Sequence, residues 1–374
     1  MDFAFWTLAF VGHGLFWVEL VNRLHGVGWR RAVIDGLTQA CGVGVASIPI
    51  VAAYQLLTTE SQLSLPAWLT GYAWFSLVVL AVVLVSRVAM PWDPLRDRRT
   101  KRTAATTLDV RERLGDRATA GGVLDTLANL PGNRLLQVEL EELTLPLERL
   151  PLDLEGMRIA HLTDLHMSGR LAIGYFEQVV KAVNAWQPDL VFLTGDLIEH
   201  TPQLEWIPET LGRLEAKAGV YYILGNHDAK IDANLTRQRL DEAGLIDASG
   251  CALEAEQRGV RFTVCGDERP WFPQAPPLTG DEDFILCLAH TPDRFGWAVK
   301  SGVDLTLAGH VHGGQVCFPL LGPLLCPSRH GVRYADGTFR RGRSVMHVGR
   351  GSGSLFPLRY NCPPEVALLT LTRG

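Results

Sequence analysis

Five short apolar runs in the second half of the chain each end in a cluster of Asp, Asn or His residues. The runs cover residues 157–162, 190–194, 221–224, 284–288 and 305–308. The clusters that follow them are Asp164-Leu165-His166, Gly195-Asp196, Gly225-Asn226-His227-Asp228, Ala289-His290 and Gly309-His310-Val311-His312. Such runs are typical of buried strands, and the carboxyl ends of the strands in an α/β sheet form a rim where ligands bind. The pattern therefore predicts an α/β domain in which these distant side chains converge.

Segments between and before these runs support the same fold class. Residues 176–186 place Val179, Val180, Val183 and Trp186 on one face, as in an amphipathic helix. Residues 136–140 alternate apolar and polar side chains, as in a half-buried strand. Strands that alternate with helices indicate βαβ units, and the globular α/β domain is expected over residues 134–374.

The clusters have the composition of a metal site. Carboxylates, imidazoles and one amide oxygen, without a thiolate, suit borderline-hard divalent ions such as Mn, Fe or Zn. A single DxH or GHxH is more often a hydrogen-bonded core histidine than a ligand, but five clusters in order at strand ends favour a metal. There are more candidate ligands than one ion needs. A pair of ions bridged by a shared carboxylate uses them all and suits in-line displacement at phosphorus.

The order DxH, GD, GNHD, a lone His and GHxH resembles the signature of the calcineurin-like metallophosphoesterase superfamily, matched here over residues 157–312. The resemblance implies a four-layer α/β/β/α sandwich and a metal-dependent phosphoesterase that uses two divalent ions. It also implies roles for nine residues. His227 would protonate the leaving oxygen, and Asp228 would orient that imidazole. Seven residues would ligate the metals, with Asp196 bridging: Asp164, His166 and His312 for the first ion, and Asn226, His290 and His310 for the second.

Further residues resemble one branch of that superfamily, the membrane-associated phosphodiesterases of the YkuE and YaeI type. They are the GHVHGGQ sequence at 309–315, Phe318-Pro319, the glycines of 349–353 and Pro363-Pro364-Glu365. The branch is similar to enzymes that cleave the pyrophosphate of UDP-2,3-diacylglucosamine. The chain departs from it at Glu199, where a GDxxD motif often has Asp.

The first 90 residues are expected to form a membrane region with two or three transmembrane helices. Residues 66–85 are uncharged and long enough to span a bilayer. Residues 37–57 are also uncharged, although their glycines and Pro49 weaken the helix. Residues 3–21 contain His13 and Glu19, so this segment either spans the bilayer or lies in its interface.

Charges that flank these segments predict a topology. Arg23, Arg30 and Arg31 follow the first segment, only Glu60 separates the second and third, and a basic run follows the third. By the positive-inside rule, the chain is expected to be a multi-pass protein of the cell inner membrane with a cytoplasmic catalytic domain. Residues 91–133 are polar and basic and are expected to form a linker that could include one helix.

The composition limits the kinds of molecule that the chain is expected to bind. A net charge of -5 argues against a nucleic-acid partner, because binding to the phosphate backbone needs a basic surface. The expected substrate is a phosphorylated small molecule with a phosphodiester or pyrophosphate bond, and the membrane anchor favours a lipid-linked one. Soluble nucleotides, phosphoproteins and a non-catalytic membrane-tethered scaffold are the alternatives.

C-terminal arginines, from Arg329 to Arg359, either recognise phosphate or form a solvated face. The apolar residues 318–325 either line an acyl-chain groove or cover the core.

Overall fold

The computed structural model describes residues 3–29, 31–58 and 66–374. Arg30 and Glu60, on which part of the predicted topology depends, lie outside these residues. The α-helices are α1 (Phe3–His25), α2 (Arg31–Thr58), α3 (Ala67–Ala89), α4 (Val110–Leu114), α5 (Val123–Ala128), α6 (Ile173–Ala185), α7 (Ala233–Glu242) and α8 (Phe295–Lys300). The strands are β1 (Lys101–Asp109), β2 (Gln137–Leu147), β3 (Arg158–Leu162), β4 (Leu190–Thr194), β5 (Val220–Ile223), β6 (Ile246–Asp247), β7 (Ala252–Gln257), β8 (Val260–Asp267), β9 (Ile285–Ala289), β10 (Leu305–Ala308), β11 (Cys317–Phe318), β12 (Gly322–Pro323), β13 (Gly337–Arg341), β14 (Ser344–Val348) and β15 (Glu365–Arg373).

The chain forms two compact units. The helical unit comprises Met1–Asp93 together with Phe318–Arg333, and the phosphoesterase unit comprises Pro94–Cys317 and Tyr334–Gly374. The helical unit therefore includes a segment that comes late in the sequence.

Three helices of the helical unit are long and apolar enough to cross a membrane: Phe3–His25, Ala32–Gln55 and Ala67–Trp92. Helix α1 packs against both α2 and α3. At Gly12 the approach is so close that a Cβ atom would lie 1.9 Å from the carbonyl oxygen of Ser76. A small residue is required there, as at other tightly packed helix pairs in membranes.

The one buried histidine described in these helices compensates for a proline. Pro49 lies inside α2 and has no N–H to donate to the carbonyl four residues earlier, that of Val45. His13 on α1 takes that place, because its Nε2 lies 3.0 Å from the Val45 oxygen. Its Nδ1 lies 2.7 Å from the Tyr72 hydroxyl on α3. His13 thereby satisfies a backbone group that lipid cannot satisfy.

Two packed sheets form the centre of the phosphoesterase unit. The larger sheet has the order β1-β2-β15-β3-β4-β5-β6, and the smaller has the order β13-β14-β10-β9-β8-β7. Apolar side chains of both sheets, among them Phe192, Ile223 and Leu286, make one buried core between them. Helix α6 covers the outer face of the larger sheet, and α8 covers that of the smaller. The predicted four-layer α/β/β/α sandwich is confirmed.

Residues 91–133 do not form the expected linker throughout. Residues 101–109 are strand β1, which pairs antiparallel with β2 at the edge of the larger sheet. All but the last two of its residues are exposed, so its sequence lacks the alternation that marks a half-buried strand. Two short helices, α4 and α5, follow.

Candidate metal centre

All five predicted strands are present, and each ends where its polar cluster begins. They are divided between the sheets: β3, β4 and β5 are neighbouring parallel strands of the larger sheet, whereas β9 and β10 are parallel neighbours in the smaller. The sequence analysis expected one rim of one sheet. The structure brings together the carboxyl ends of strands from both sheets.

The converging side chains form two groups that share one carboxylate. Ligand atoms within each group all lie within 4.8 Å of one another. The first group is Asp164, His166, Asp196 and His312, and the second is Asp196, His290 and His310. Asn226 joins the second group through its Oδ1, 3.0 Å from the Nε2 of His290. All seven predicted metal ligands therefore lie together.

The backbone at these positions is unusual. Asp164, His166, Asp196, His310 and His312 all have positive φ angles, between 46° and 73°. Residues other than glycine rarely adopt this conformation, and such strain concentrates at functional sites. The sharp turn after each strand aims the side chain back across the sheet edge.

Gly309 makes room for the first group. A Cβ atom at this position would lie 1.9 Å from the hydroxyl oxygen of Thr163 and 2.4 Å from a carboxylate oxygen of Asp164. The Asp164 carboxylate also accepts the backbone N–H of His310, at 2.9 and 3.0 Å. Glycine in the GHVH motif thus allows the loops after β3 and β10 to meet.

Second-layer hydrogen bonds leave ring nitrogens of the histidines facing the site. His290 donates from Nδ1 to the carbonyl of Thr194 at 2.8 Å, so its Nε2 is the nitrogen that faces the site. His166 contacts the Glu199 carboxylate through Nδ1, and its Nε2 lies 2.9 Å from the Nε2 of His312. Fixing one nitrogen of an imidazole so that the other can ligate is how proteins orient metal-binding histidines.

Burial and mutual charge shift the pKa values of these groups in opposite directions. Burial alone would raise the pKa of Asp196, but the neighbouring His290, His227 and His166 hold it well below its usual range. Burial would lower the pKa of His290, but Asp196 and Asp164 outweigh it and raise the pKa to about 9. Burial and the adjacent His166 lower the pKa of His312. The ionised Asp196 thus favours a protonated His290 in the absence of metal, and a divalent cation that bound Nε2 would have to displace that proton.

Asp228, predicted to orient the imidazole of His227, is hydrogen-bonded to backbone N–H groups. Its buried carboxylate accepts the backbone N–H groups of Leu197, Ile198 and Gly225, at 2.8 to 3.2 Å, and so braces two ligand loops. Burial raises the pKa of Asp228 to about 7. The imidazole of His227 is contacted by Glu199, 2.6 Å from Nδ1, and by the Nζ of Lys230, 2.8 Å from both ring nitrogens.

Glu199 thus connects two histidines, His166 and His227, and the three form a further tight group. Burial would raise the pKa of Glu199, but hydrogen bonds from the two imidazoles outweigh it and lower the pKa to about 2. Sequence reasoning noticed this residue only as a departure from GDxxD. Its position three residues after Asp196, which belongs to both groups, was the available signal.

Two other residues near the site were not predicted to act there. The ring of Trp271 lies 5.2 Å from that of His290 and 4.9 Å from that of His310, measured between centroids, and forms a wall beside the second group. Arg359 is fully buried and donates to the carbonyl oxygens of His312, Arg350 and Gly353.

Three of the C-terminal arginines make internal contacts that neither predicted role anticipated, whereas Arg341 and Arg343 are exposed, as in the solvated-face alternative. Arg359 donates a hydrogen bond to the backbone of the loop that carries His312. Arg350 pairs with Glu139 at 2.6 Å and with Glu365 at 3.1 Å, and Arg340 pairs with Asp97 at 3.0 Å. These guanidinium groups stabilise the fold.

Comparisons with known proteins agree with this geometry. Residues 157–314 match the family model for calcineurin-like phosphoesterases. The chain is 31% identical over 221 residues to phosphodiesterase YaeI of Escherichia coli, covering 57% of this chain and 82% of that protein. It is 27% identical over 245 residues to the metallophosphoesterase YkuE of Bacillus subtilis, covering 63% of this chain and 85% of that protein. A transmembrane protein with a metallophosphoesterase domain from Danio rerio is 28% identical over 267 residues, covering 62% of this chain and 57% of that protein.

Proposed function

The chain belongs to the calcineurin-like phosphoesterase family, and we propose on that premise that it hydrolyses a phosphodiester or pyrophosphate bond of a membrane-associated substrate. The observation that carries the proposal is the carboxylate of Asp196, which belongs to both groups of ligand atoms. A shared carboxylate between two such groups is what a pair of divalent ions requires.

The donor set assigns the ligands of each ion. Asp164, His166 and His312 would hold the first, Asn226, His290 and His310 would hold the second, and Asp196 would be shared between them. Oxygen and imidazole donors suit Mn, Fe or Zn. When bound, two such ions clamp the attacking and leaving oxygens of an in-line displacement at phosphorus.

His227 supplies the proton for the leaving oxygen in this proposal. Its backbone N–H donates to the Asp196 carboxylate at 2.7 Å, which fixes the residue beside the bridging ligand. In this proposal Glu199 holds Nδ1, and Nε2, which lies 2.8 Å from the Nζ of Lys230, hands the proton to substrate. Glu199 is the positioning residue, in the place expected for Asp228.

The membrane anchor favours a lipid-linked substrate. Three helices have the length and composition of membrane spans. The basic residues after α1 and α3 support a multi-pass arrangement in the inner membrane with the phosphoesterase unit in the cytoplasm. UDP-2,3-diacylglucosamine, with its pyrophosphate and acyl chains, is the model substrate for such a site.

The test is an activity screen of the purified full-length chain reconstituted with Mn. Lipid-linked pyrophosphates are compared with bis-p-nitrophenyl phosphate, p-nitrophenyl phosphate and soluble nucleotides. We expect the lipid-linked pyrophosphate to have the highest kcat/KM. A preference for nucleotides or monoesters would overturn the substrate assignment but leave the site intact.

The site assignment is tested with variants in the same assay. Asp196→Ala should abolish turnover, and His227→Ala should lower kcat by about 10²- to 10⁴-fold, the usual contribution of a general acid. His200→Ala is the matched control, because His200 is exposed and lies next to Glu199 in the sequence. Near-full activity of either site variant with every substrate would refute the assignment.

A further inference from the structure

A segment from the second half of the chain is built into the helical unit. Residues Phe318–Arg333 pack with α1 and α3, although they follow the GHVHGGQ motif directly in the sequence. The segment begins with a small hairpin, residues 318–325, in which β11 pairs with β12.

A buried amide fixes this segment to α1. Asn22 is only 4% exposed, and its side chain donates to the carbonyl of Leu324 at 2.7 Å. Its Oδ1 accepts the backbone N–H of Cys326 at 3.1 Å. The guanidinium of Arg329 donates to the carbonyls of Gly26 and Val27, just beyond the end of α1, at 2.7 and 2.9 Å. These bonds specify the position of the segment beside the C-terminal end of α1.

Two leucines of the hairpin reach the apolar part of the helices. Leu321 and Leu324 pack against a buried cluster of Leu15, Leu80 and Val83. Val83 and Leu80 precede Arg87 on α3 by four and seven residues, which at 1.5 Å per residue is roughly 6 and 10 Å along the helix. That is the depth at which interfacial elements bury their apolar side chains.

Charged and aromatic side chains beside this cluster indicate where the membrane–water interface lies. Arg87 pairs with Glu19, which also pairs with Arg23. Trp92, just beyond α3, is 66% exposed, as is typical of an aromatic anchor at a membrane interface. Leu321 and Leu324 therefore lie on the hydrocarbon side of these charged residues.

Other apolar side chains of the same hairpin point away from the helices. Leu320 is 84% exposed and Leu325 is 49% exposed. Large apolar side chains grouped on a loop beside membrane-spanning helices indicate contact with an apolar phase.

We propose that the hairpin 318–325 is embedded in the bilayer, in the leaflet that surrounds the C-terminal ends of α1 and α3, and that Leu320 and Leu325 contact lipid acyl chains. The occupant of this surface is the lipid itself, because the hairpin is continuous with helices that have the composition of membrane spans. The proposal concerns a surface and does not depend on the proposed reaction.

Site-specific photo-crosslinking tests the proposal. Benzoylphenylalanine replaces Leu320 or Leu325 in the full-length protein, which is placed in nanodiscs of phosphatidylethanolamine and phosphatidylglycerol and irradiated. Mass spectrometry of the peptides then identifies the adducts. We expect phospholipid adducts at both positions. The same probe at Val85, 69% exposed on α3, should also give lipid adducts and shows that the photochemistry works.

Leu152 provides the matched control, because this leucine is 68% exposed but belongs to the phosphoesterase unit. The probe at position 152 should give no lipid adduct. Lipid adducts at 85 but not at 320 and 325 would overturn the proposal, as would equal labelling at 320 and 152. Adducts of 320 with protein peptides alone would identify a second polypeptide as the occupant and would also overturn it. Hydrolysis of bis-p-nitrophenyl phosphate by each labelled protein is recorded separately, so the failure of one proposal is distinguishable from failure of the other.

Discussion

The carboxylate of Glu199 is placed to serve both a candidate metal ligand and the candidate acid. It contacts the Nδ1 atoms of His166 and His227, so its charge fixes the orientation of both rings. Glu199→Gln should therefore weaken metal binding by about 10- to 100-fold, the usual effect of losing a residue that orients a ligand. Titration of the metal-free protein with Mn, followed by calorimetry, measures this change.

Glu199→Asp tests whether the charge matters, because it keeps the carboxylate that the related GDxxD motif has. We expect Mn affinity closer to that of the unaltered chain than with Gln. Glu209→Gln, a surface change at a residue paired with Arg213, is the control and should leave affinity unaltered. If Gln and the surface variant bind Mn equally well, Glu199 does not orient the site.

His161 makes the stability of the phosphoesterase unit depend on pH. Burial, aided by the neighbouring His347, lowers the pKa of His161 from 6.5 to about 3. The unfolded chain therefore binds a proton between pH 6.5 and 3 that the folded chain excludes. The stability is fully present above pH 6.5 and falls with decreasing pH by up to about 1.4 kcal/mol per pH unit.

The thermal midpoint of the EDTA-treated protein at pH 7.5 and pH 5 measures this effect. His161→Gln keeps a hydrogen-bonding group beside Thr194, whose hydroxyl lies 2.8 Å from Nε2 of His161. The variant should lose less stability than the unaltered chain on acidification, whereas the exposed His200→Gln should behave like the unaltered chain. An identical loss in all three proteins would contradict the account.

Helix α2 shows how one element depends on its neighbour. Pro49 frees the carbonyl of Val45, and His13 satisfies it from α1. His13→Leu should destabilise the helical unit by about 1–3 kcal/mol, because it leaves a buried acceptor without a partner.

A double-mutant cycle isolates that hydrogen bond. Pro49→Ala restores an N–H that the Val45 carbonyl can accept, so His13→Leu should cost less in a Pro49→Ala background than in the unaltered chain. Thermal unfolding of the detergent-solubilised protein supplies the four values. Strict additivity would show that His13 does not act through Val45.

Strand positions were predictable where burial leaves a signature in the sequence. The five strands that carry the site are apolar runs, and four of them are buried throughout while β3 is buried at all but its first residue. Strand β1 was missed because its stability comes from backbone hydrogen bonds to β2 and its side chains are exposed. An edge strand whose side chains are exposed has no alternation of apolar and polar residues from which it could be predicted.

The membership of the site was likewise predictable, but its internal contacts were not. Each candidate ligand lies within four residues of the end of a strand, so the order of motifs was enough to group them. The exchange of roles between Asp228 and Glu199 depends on how the loops after β4 and β5 cross. Residue 228 points at the backbone of residues 197 and 198, which leaves residue 199 to face His227. No local sequence pattern predicts how the loops after β4 and β5 cross.

At the scale of the whole molecule, a metal-dependent phosphoesterase is joined to a helical unit with the composition of membrane spans. The segment Phe318–Arg333 makes the connection between the units more than a single linker, because the chain leaves the phosphoesterase unit and returns to it.

The central claim is that two divalent ions share Asp196 and are required for turnover. The most direct measurement titrates the EDTA-treated full-length protein with Mn while bound metal and bis-p-nitrophenyl phosphate hydrolysis are followed together. The account predicts no turnover without metal, full turnover at two equivalents per chain, and fewer than two bound ions with little activity in Asp196→Ala. Full turnover without metal, or saturation of both signals at one equivalent, would contradict it.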